Sequence, residues 1–247
     1  MKIICVMAIY KRPLITIKTL ELLKRHIHPF ERIIAVGSCN TDKQTANKAI
    51  VDYTEYKNFP VSEKWQHGIY CAQQYDPDAI MICGSDAWLS TNWCMLGKEY
   101  VKDGYDIVGK KDFYTCYLAP NSKLSIIGRT YRTRKDPVGS GRLISRNILD
   151  KLNWQLYPTG LNSCMDGESY KRMINENAIL KVITEHPEMI VMSIKSPLWE
   201  TITSYSHIAN HRMFVPLEDI TDNEIWLNTH FPEAIKDLKD IAPTAII

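Results

Sequence analysis

The sequence predicts an α/β protein with a mixed, mainly parallel sheet that is flanked by helices. Short apolar runs alternate with helical patterns through the first half of the chain, which is typical of βαβ units. Beyond residues 103–104 the apolar runs become shorter and are separated by turn residues, which predicts a smaller antiparallel part. Hydrophobic residues make up 45% and charged residues 23% of the 247 residues, a composition typical of an ordered globular protein.

The first half of the chain predicts strands that alternate with helices. The strands are predicted at residues 2–9, 31–36, 51–56 and 79–83. The helices are predicted to begin at Pro13 and to cover residues 41–50, 62–74 and 91–101. Pro13 suits the first turn of a helix because that position needs no N–H donor. The apolar run at 79–83 is bounded by turn residues, so we expect it to be a central strand.

The second half of the chain is predicted to be built differently. Shorter strands are predicted at residues 106–110, 113–118, 124–129, 182–183 and 189–194. A turn is predicted at 138–141, and helices at 145–152 and 166–175. From residue 215 onward the chain is rich in acidic residues, and we expect a helical or irregular tail over 215–247.

The overall charge argues against two classes of partner. The chain has 30 basic and 28 acidic residues and a net charge of +2, so no overall field would hold it on nucleic acid or on an anionic membrane. We therefore expect it not to bind nucleic acid. Basic residues gather locally, where they suit either a bound anion such as a diphosphate or a solvated loop: Arg129, Arg132, Arg134 and Lys135.

The sequence also predicts a soluble, cytoplasmic protein. The apolar run at residues 3–9 is too short for a signal peptide and continues directly into charged residues. No stretch approaches the roughly 20 apolar residues of a membrane span, so we expect no integral membrane segment. The seven cysteines are scattered without a C-x-x-C pair, which predicts reduced thiols in the core.

Asp86 is the first candidate for chemistry. It follows the predicted strand at 79–83, and open α/β sheets bind ligands at the carboxyl ends of their strands. A carboxylate in that position can hold a divalent cation against a phosphate oxygen. An ordinary acidic residue in a turn is the alternative.

The segments around Asp86 resemble the nucleotide-binding half of GT-A glycosyltransferases, especially the inverting family two group. The similarity lies in residues 9–13 (Ile-Tyr-Lys-Arg-Pro), 64–68 (Lys-Trp-Gln-His-Gly) and 78–87. The resemblance implies a nucleotide-diphosphate sugar donor of the UDP or GDP type, a glycan or other hydroxyl acceptor, and Mn²⁺ or Mg²⁺ held by Asp86. Gly84 stands where the D-x-D motif has its first Asp, so the need for a metal is left open. The donor-binding residues implied are Ala8, Ile9, Tyr10, Arg12, Gly37, Ser38, Lys64, Trp65, Gly84, Ser85 and Asp86. Arg142 is added because it follows a glycine-rich turn and its guanidinium matches the oxygens of a diphosphate.

The second half resembles the acceptor side of the same enzymes. A glycine-rich segment at 139–142 is followed by Trp154 and then by Asp166. The resemblance implies that Asp166 is the catalytic base and that Trp154 and Glu168 bind the acceptor, with Glu168 as the reserve candidate for the base. A helix N-terminal acid is the alternative for Asp166, and a structural role is the alternative for Arg142.

The resemblance covers roughly residues 1–200, and the acidic pattern from residue 215 onward is expected to mark the end of the domain. Residues 1–214 are expected to form the glycosyltransferase-like domain, with a nucleotide-binding half at 1–104 and an acceptor half at 105–214. Two other functions stay open. A sugar-nucleotide nucleotidyltransferase has the same layered fold, although residues 7–13 lack its glycines, and a non-catalytic nucleotide- or glycan-binding module would explain Gly84. The spacing of His207 and His211 is a weak metal signal.

Overall fold

The computed structural model describes residues 1–27, 29–118, 124–132, 135–184, 186–197, 214–217 and 220–241. The strands among these residues are β1 (Ile3–Ala8), β2 (Arg32–Gly37), β3 (Asp52–Glu55), β4 (Ala79–Ile82), β5 (Ala87–Leu89), β6 (Ile107–Lys110), β7 (Asp112–Tyr117), β8 (Ser125–Tyr131), β9 (Arg142–Ser145), β10 (Leu180–Ile183), β11 (Val191–Lys195) and β12 (Phe214–Pro216). The helices are α1 (Pro13–Lys24), α2 (Asn40–Ala49), α3 (Val61–Gln73), α4 (Trp93–Lys102), α5 (Arg146–Lys151), α6 (Met165–Asn175), α7 (Asn223–His230) and α8 (Ala234–Ile241).

The main sheet has the strand order β10-β6-β9-β4-β1-β2-β3 among the described residues. Its neighbouring strands are parallel except at β9, which runs antiparallel to both β4 and β6. The mixed, mainly parallel sheet is therefore confirmed. Because β1, β2 and β4 are parallel neighbours, their carboxyl ends lie together at one edge of the sheet.

A second sheet follows the order β12-β8-β7-β11-β5 in the part of the chain that is described. Its pairs are antiparallel except β7 with β11. Strand β5 begins directly after Asp86 and pairs with β11, so the chain passes from the main sheet into the second sheet at that residue. The smaller, largely antiparallel part predicted for the second half is present here.

Both faces of the main sheet are covered by helices. Side chains along β1 alternate between two hydrophobic clusters, because successive residues of a strand point to opposite faces. Helices α1, α2 and α4 contribute to the cluster on one face, and α3, α5 and α6 to the cluster on the other. Burial on both faces explains why β1 and β4 read as continuous apolar runs. Within the described ranges, no helix combines the length and apolar character needed to cross a membrane.

The segment after residue 214 packs into the body of the protein. Strand β12 spans the predicted boundary at 214–215 and pairs with β8. Phe231 and Leu238 share a hydrophobic cluster with Ile15 of α1 and with the second sheet. The Asp237 carboxylate, in α8, lies 3.1 Å from Lys18 Nζ and 3.2 Å from Arg25 Nη1, both on or next to α1. These contacts make the C-terminal helices a part of the core, where an appended tail was expected.

Candidate active site

Asp86 lies in the loop between β4 and β5 and is paired with two cations. Its Oδ2 atom accepts hydrogen bonds from Lys195 Nζ at 2.8 Å and from Arg12 Nη1 at 3.2 Å. The second terminal nitrogen of Arg12 donates to Ser85 Oγ at 2.8 Å. Asp86 and Lys195 are each only 9% exposed. Burial by itself raises the pKa of the Asp86 carboxyl, but Lys195 and Arg12 outweigh it and hold this pKa below its ordinary value.

This arrangement does not fit the Mn²⁺ or Mg²⁺ ion predicted at Asp86. Hard divalent cations take several oxygen ligands and need anionic groups around them. Here one carboxylate is shared by two positively charged side chains, and Gly84 offers no side-chain ligand. No group of three or more His, Cys, Asp or Glu side chains within the described residues could hold a metal ion. His207 and His211 lie outside the described residues.

The loop at 138–141 lies against the loop at 84–86. Strand β9 brings the two loops together, because Arg142 pairs with Ile82 at the end of β4. The Gly84 N–H donates to Ser140 Oγ at 3.1 Å, and Trp93 Nε1 donates to the Gly141 carbonyl at 2.8 Å. Gly141 has a φ of 80° and lies on the Trp93 ring, where a side chain would collide. Glycine is therefore required at 141.

Asp166 lies in the first turn of α6, directly beside Gly139. Its carboxylate makes no hydrogen bond or ion pair with any residue in the described part of the chain, although the backbone around it is held firmly. The Asp166 carbonyl accepts from Arg142 Nη1 at 3.2 Å and from Ser169 Oγ at 3.0 Å. A methyl group built on Gly139 would lie 2.6 Å from the Asp166 Cγ atom, so this glycine leaves the room that the carboxylate occupies.

Arg142 supports this loop from the inside and is 1% exposed. Its terminal nitrogens donate to the Pro137 carbonyl at 2.7 Å and to Ser169 Oγ at 3.1 Å, in addition to the Asp166 carbonyl. A guanidinium committed to these partners, and shielded from solvent, is a positioning group for Asp166. This placement argues against the diphosphate-binding role predicted for Arg142.

A pocket of about 350 Å³ opens between Asp166 and Lys195. Three aromatic rings, those of Phe113, Tyr131 and Phe214, form one wall, with centroids 5.1–5.8 Å apart. The other lining residues are Val138, Gly139, Ser140, Val191 and Ser193. The pocket thus joins an apolar wall, a carboxylate without a partner among the described residues and an ammonium that is paired with Asp86.

The predicted donor-binding segments meet at the carboxyl edge of the main sheet. Buried Lys64 ties them together, since its Nζ donates to the Ile9 carbonyl at 2.6 Å, Ser38 Oγ at 2.6 Å and Asn58 Oδ1 at 3.0 Å. Burial lowers the pKa of Lys64 to about 8. The Lys64 ammonium also lies 5.5 Å from the centroid of the Tyr10 ring. Lys64 therefore fixes the ends of β1 and β2 relative to each other.

Asp42 also connects the segments at this edge by hydrogen bonds, and sequence reasoning missed it. Its Oδ1 accepts from the Lys11 N–H at 2.9 Å and its Oδ2 from the Ser38 N–H at 2.8 Å. Gly37 ends β2 directly beside it, where a side chain would collide with Asp42 and Tyr53. Ala8 ends β1 one strand away and pairs with Val36. An acid therefore lies beside the end of β2, and α2 supplies it.

Trp65, Trp154 and Glu168 lie away from the pocket lining. Trp154 is 4% exposed, and its Nε1 donates to Asp150 Oδ1 at 2.7 Å. Trp65 packs against Tyr157, with ring centroids 6.4 Å apart. Glu168 pairs with Lys171 at 2.6 Å on the outer side of α6. The packing of Trp154 in the core argues against the acceptor-binding role predicted for it.

Lys195 is the other residue that sequence reasoning missed. It ends β11, an apolar strand, and reaches Asp86 across 109 positions of the chain because β11 pairs with β5. The one local signal is a lysine that directly follows a buried apolar run. Such a lysine must find a partner or solvent, but the sequence does not say which.

The chain is similar to known proteins in structure, but not closely in sequence. No protein-family model matches the chain, and no curated protein matches its sequence. The crystal structure of S. aureus TarS 1–349 matches with a TM-score of 0.58 and 14% identity, over 78% of this chain and 60% of that chain. The same fragment in complex with UDP-GlcNAc matches with a TM-score of 0.57 and 12% identity, over 99% of this chain and 71% of that chain.

The complex of that fragment with UDP matches with a TM-score of 0.52 and 14% identity, over 80% of this chain and 61% of that chain. The chain thus spans about 60% of the first of these structures. At such low identity the similarity establishes the fold alone. TarS is a GT-A-type glycosyltransferase, and the chain has a fold of the GT-A type.

Proposed function

We propose that this protein is a glycosyltransferase that moves a sugar from a nucleotide-diphosphate sugar to a hydroxyl acceptor. The observation that carries the proposal is the pocket that Asp166 and Lys195 both line. The Asp166 carboxylate is not neutralised by a described neighbour, as a general base requires. The Lys195 ammonium is paired with Asp86, which lies beyond the carboxyl end of β4, where α/β folds bind nucleotides.

In the proposed reaction Asp166 takes the proton of the acceptor hydroxyl. The hydroxyl oxygen attacks the anomeric carbon from the side opposite the diphosphate and forms the new glycosidic bond. The bond from that carbon to the diphosphate oxygen breaks, and its electron pair leaves with the nucleoside diphosphate, which gains one negative charge. Attack from the opposite side inverts the configuration at the anomeric carbon.

The donor is proposed to lie across the ends of β1, β2 and β4. Lys64 and Asp42 hold the segments around Tyr10 and Ser38 in place. These segments follow β1 and β2, which lie next to β4 in the sheet, so they share one edge with the Asp86 loop. The complexes of TarS with UDP and UDP-GlcNAc support a UDP-type donor for the similar fold. A nucleotide at this edge would direct its diphosphate toward Asp86 and its sugar toward the pocket.

The aromatic wall is proposed to hold a sugar ring. Phe113, Tyr131 and Phe214 present an apolar surface, while Ser140 and Ser193 add hydroxyl groups to the same pocket. Ligand pockets commonly combine such an apolar wall with a few polar groups that fix orientation. A sugar has apolar C–H faces and polar edges, so its chemistry fits this lining.

Release of nucleoside diphosphate from a panel of UDP- and GDP-sugars, UDP-GlcNAc included, is measured with a panel of glycan acceptors present and tests the proposal. We expect release by the parent protein with one donor class, and a fall of about 10²–10⁴-fold in Asp166→Asn. Glu168→Gln is the matched control, because it removes a carboxylate from the same helix outside the pocket lining. Normal turnover by Asp166→Asn would contradict the assignment of the base. Nucleotide binding without release by the parent would favour a binding module.

A further inference from the structure

We propose that Lys195 and Arg12, and not a divalent cation, carry the charge of the donor diphosphate, and that Asp86 positions these two cations. The inference rests on the proposed function and gives the predicted metal ligand a different role. It begins from the observation that the atom expected to bind a metal, Asp86 Oδ2, is already the shared acceptor of Lys195 Nζ and Arg12 Nη1.

The three groups come from three separate elements. Arg12 directly precedes α1, Asp86 follows β4, and Lys195 ends β11. Ser85 Oγ fixes the second terminal nitrogen of Arg12 at 2.8 Å, so the guanidinium is held by two neighbouring residues of one loop. A cluster that joins both sheets and is largely buried is preorganised, because little side-chain freedom is left to lose when an anion binds.

The local charge favours an anion over a cation. Within the cluster, Lys195 and Arg12 contribute two positive charges against the single negative charge of Asp86, which leaves these three residues with an excess of one positive charge. A divalent cation on Asp86 would face both of these charges at short range, with little solvent to screen them. A diphosphate in the same place is attracted by them.

The cations also suit the change in charge during transfer. The leaving diphosphate gains one negative charge as its bond to the sugar breaks, and groups that bind this charge accelerate the step. An ammonium has three N–H donors, and Asp86 is the acceptor found for Lys195 among the described residues, so N–H groups remain for phosphate oxygens. Lys195 also lines the pocket, where the reacting bond is proposed to lie.

Calorimetric titration of UDP and GDP into the parent protein, in EDTA and then in Mn²⁺, tests the inference directly. We expect the preferred nucleotide to bind in EDTA with a Kd within about threefold of its value in Mn²⁺, because the charge is supplied by the protein. Sugar transfer should likewise persist in EDTA. Binding or transfer that requires Mn²⁺ would overturn the inference and leave the proposed function standing. If neither nucleotide binds in either condition, both fail.

Variants separate the two roles of the cluster. Lys195→Gln should lower turnover about 10²-fold in EDTA, and Lys195→Arg should retain most of it. Lys102→Gln, an exposed lysine paired with Glu99, is the matched control and should change neither turnover nor nucleotide affinity. Unchanged turnover in Lys195→Gln would contradict the inference. If that variant does not fold, the parent measurements with and without EDTA decide alone.

The metal-ligand role and the cation-positioning role of Asp86 predict opposite effects of Asp86→Asn on nucleotide binding. A metal ligand that is lost weakens nucleotide binding. Asn keeps an amide oxygen that can accept from Lys195 and Arg12 but removes the negative charge, so the nucleotide should raise the melting temperature of Asp86→Asn in Mn²⁺ at least as much as it raises that of the parent. A smaller rise than in the parent would count against the inference.

Discussion

Replacing Gly139 by alanine is expected to displace the Asp166 carboxylate while the fold stays intact. The backbone of Gly139 does not have a positive φ, so an alanine is compatible with its conformation. The added methyl carbon would lie 2.6 Å from Asp166 Cγ. Ordinary contacts between carbon atoms lie at about 3.5–4.0 Å, so the carboxylate must move by roughly 1 Å. The end of a side chain moves at low cost, and the backbone of α6 keeps its contacts with Arg142.

The size of the expected effect follows from that displacement. A shift of about 1 Å in a reacting group can cost about 10²-fold in rate, which corresponds to roughly 2.7 kcal/mol of activation free energy. The free energy of unfolding should change by less than about 1 kcal/mol, because glycine-to-alanine changes at compatible positions have small effects. Donor affinity should stay at the parent value, since the change is made at the base and not at the sheet edge.

A double-mutant cycle shows whether the effect passes through Asp166. Turnover is measured for Gly139→Ala, Asp166→Asn and the double variant, with melting temperatures as the check on folding. If Gly139→Ala acts only by moving the carboxylate, the double variant is no slower than Asp166→Asn. A parent-like rate in Gly139→Ala would refute the reasoning, and so would a further hundredfold loss in the double variant.

Two other groups give predictions of stability. Burial lowers the pKa of His26 from 6.5 to about 4, so its neutral form stabilises the fold above pH 6.5 and this stability is lost as the pH falls toward 4. By pH 5 the free energy of unfolding has fallen by about 2 kcal/mol for this reason. Urea titrations should find a smaller fall with pH in His26→Gln. Arg142→Lys should lower the free energy of unfolding by about 1–3 kcal/mol with unchanged donor affinity, whereas a fall in affinity alone would restore the diphosphate role.

The sequence predicts the elements of the main sheet well where local pattern decides them. Strands β1 and β4 are continuous apolar runs, and α1 begins at Pro13 as the proline predicts. Strand β9 was not predicted, because its four residues start with an arginine and directly follow a glycine-rich turn. Its strand conformation comes from pairing with β4 and β6, which no local pattern can report.

The candidate site is harder to predict from the sequence, also because it depends on pairing between distant segments. Asp86 and Asp166 stand at element ends, and such positions can be recognised in a sequence. The partnership of Asp86 with Lys195 depends on the register of β11 against β5, and that of Arg142 with Ser169 on the position of α6. Trp154 fits the order of the acceptor-side residues, yet its ring is enclosed by the core. Order along the chain does not determine exposure.

The different surroundings of the two carboxylates account for their different proposed roles. Asp86 is bound by two cations and is held ionised, so it cannot take up a proton at neutral pH and serves as an anchor. Asp166 has a firmly held backbone and a carboxylate without a described partner, which suits the role of base proposed for it. Strand β9 is what relates them, because its pairing with β4 sets the loop at 138–141, and with it α6, beside the Asp86 loop. Loss of that pairing would separate the base from the cations without changing either group, so the four residues of β9 are as necessary to the proposed reaction as the carboxylates themselves.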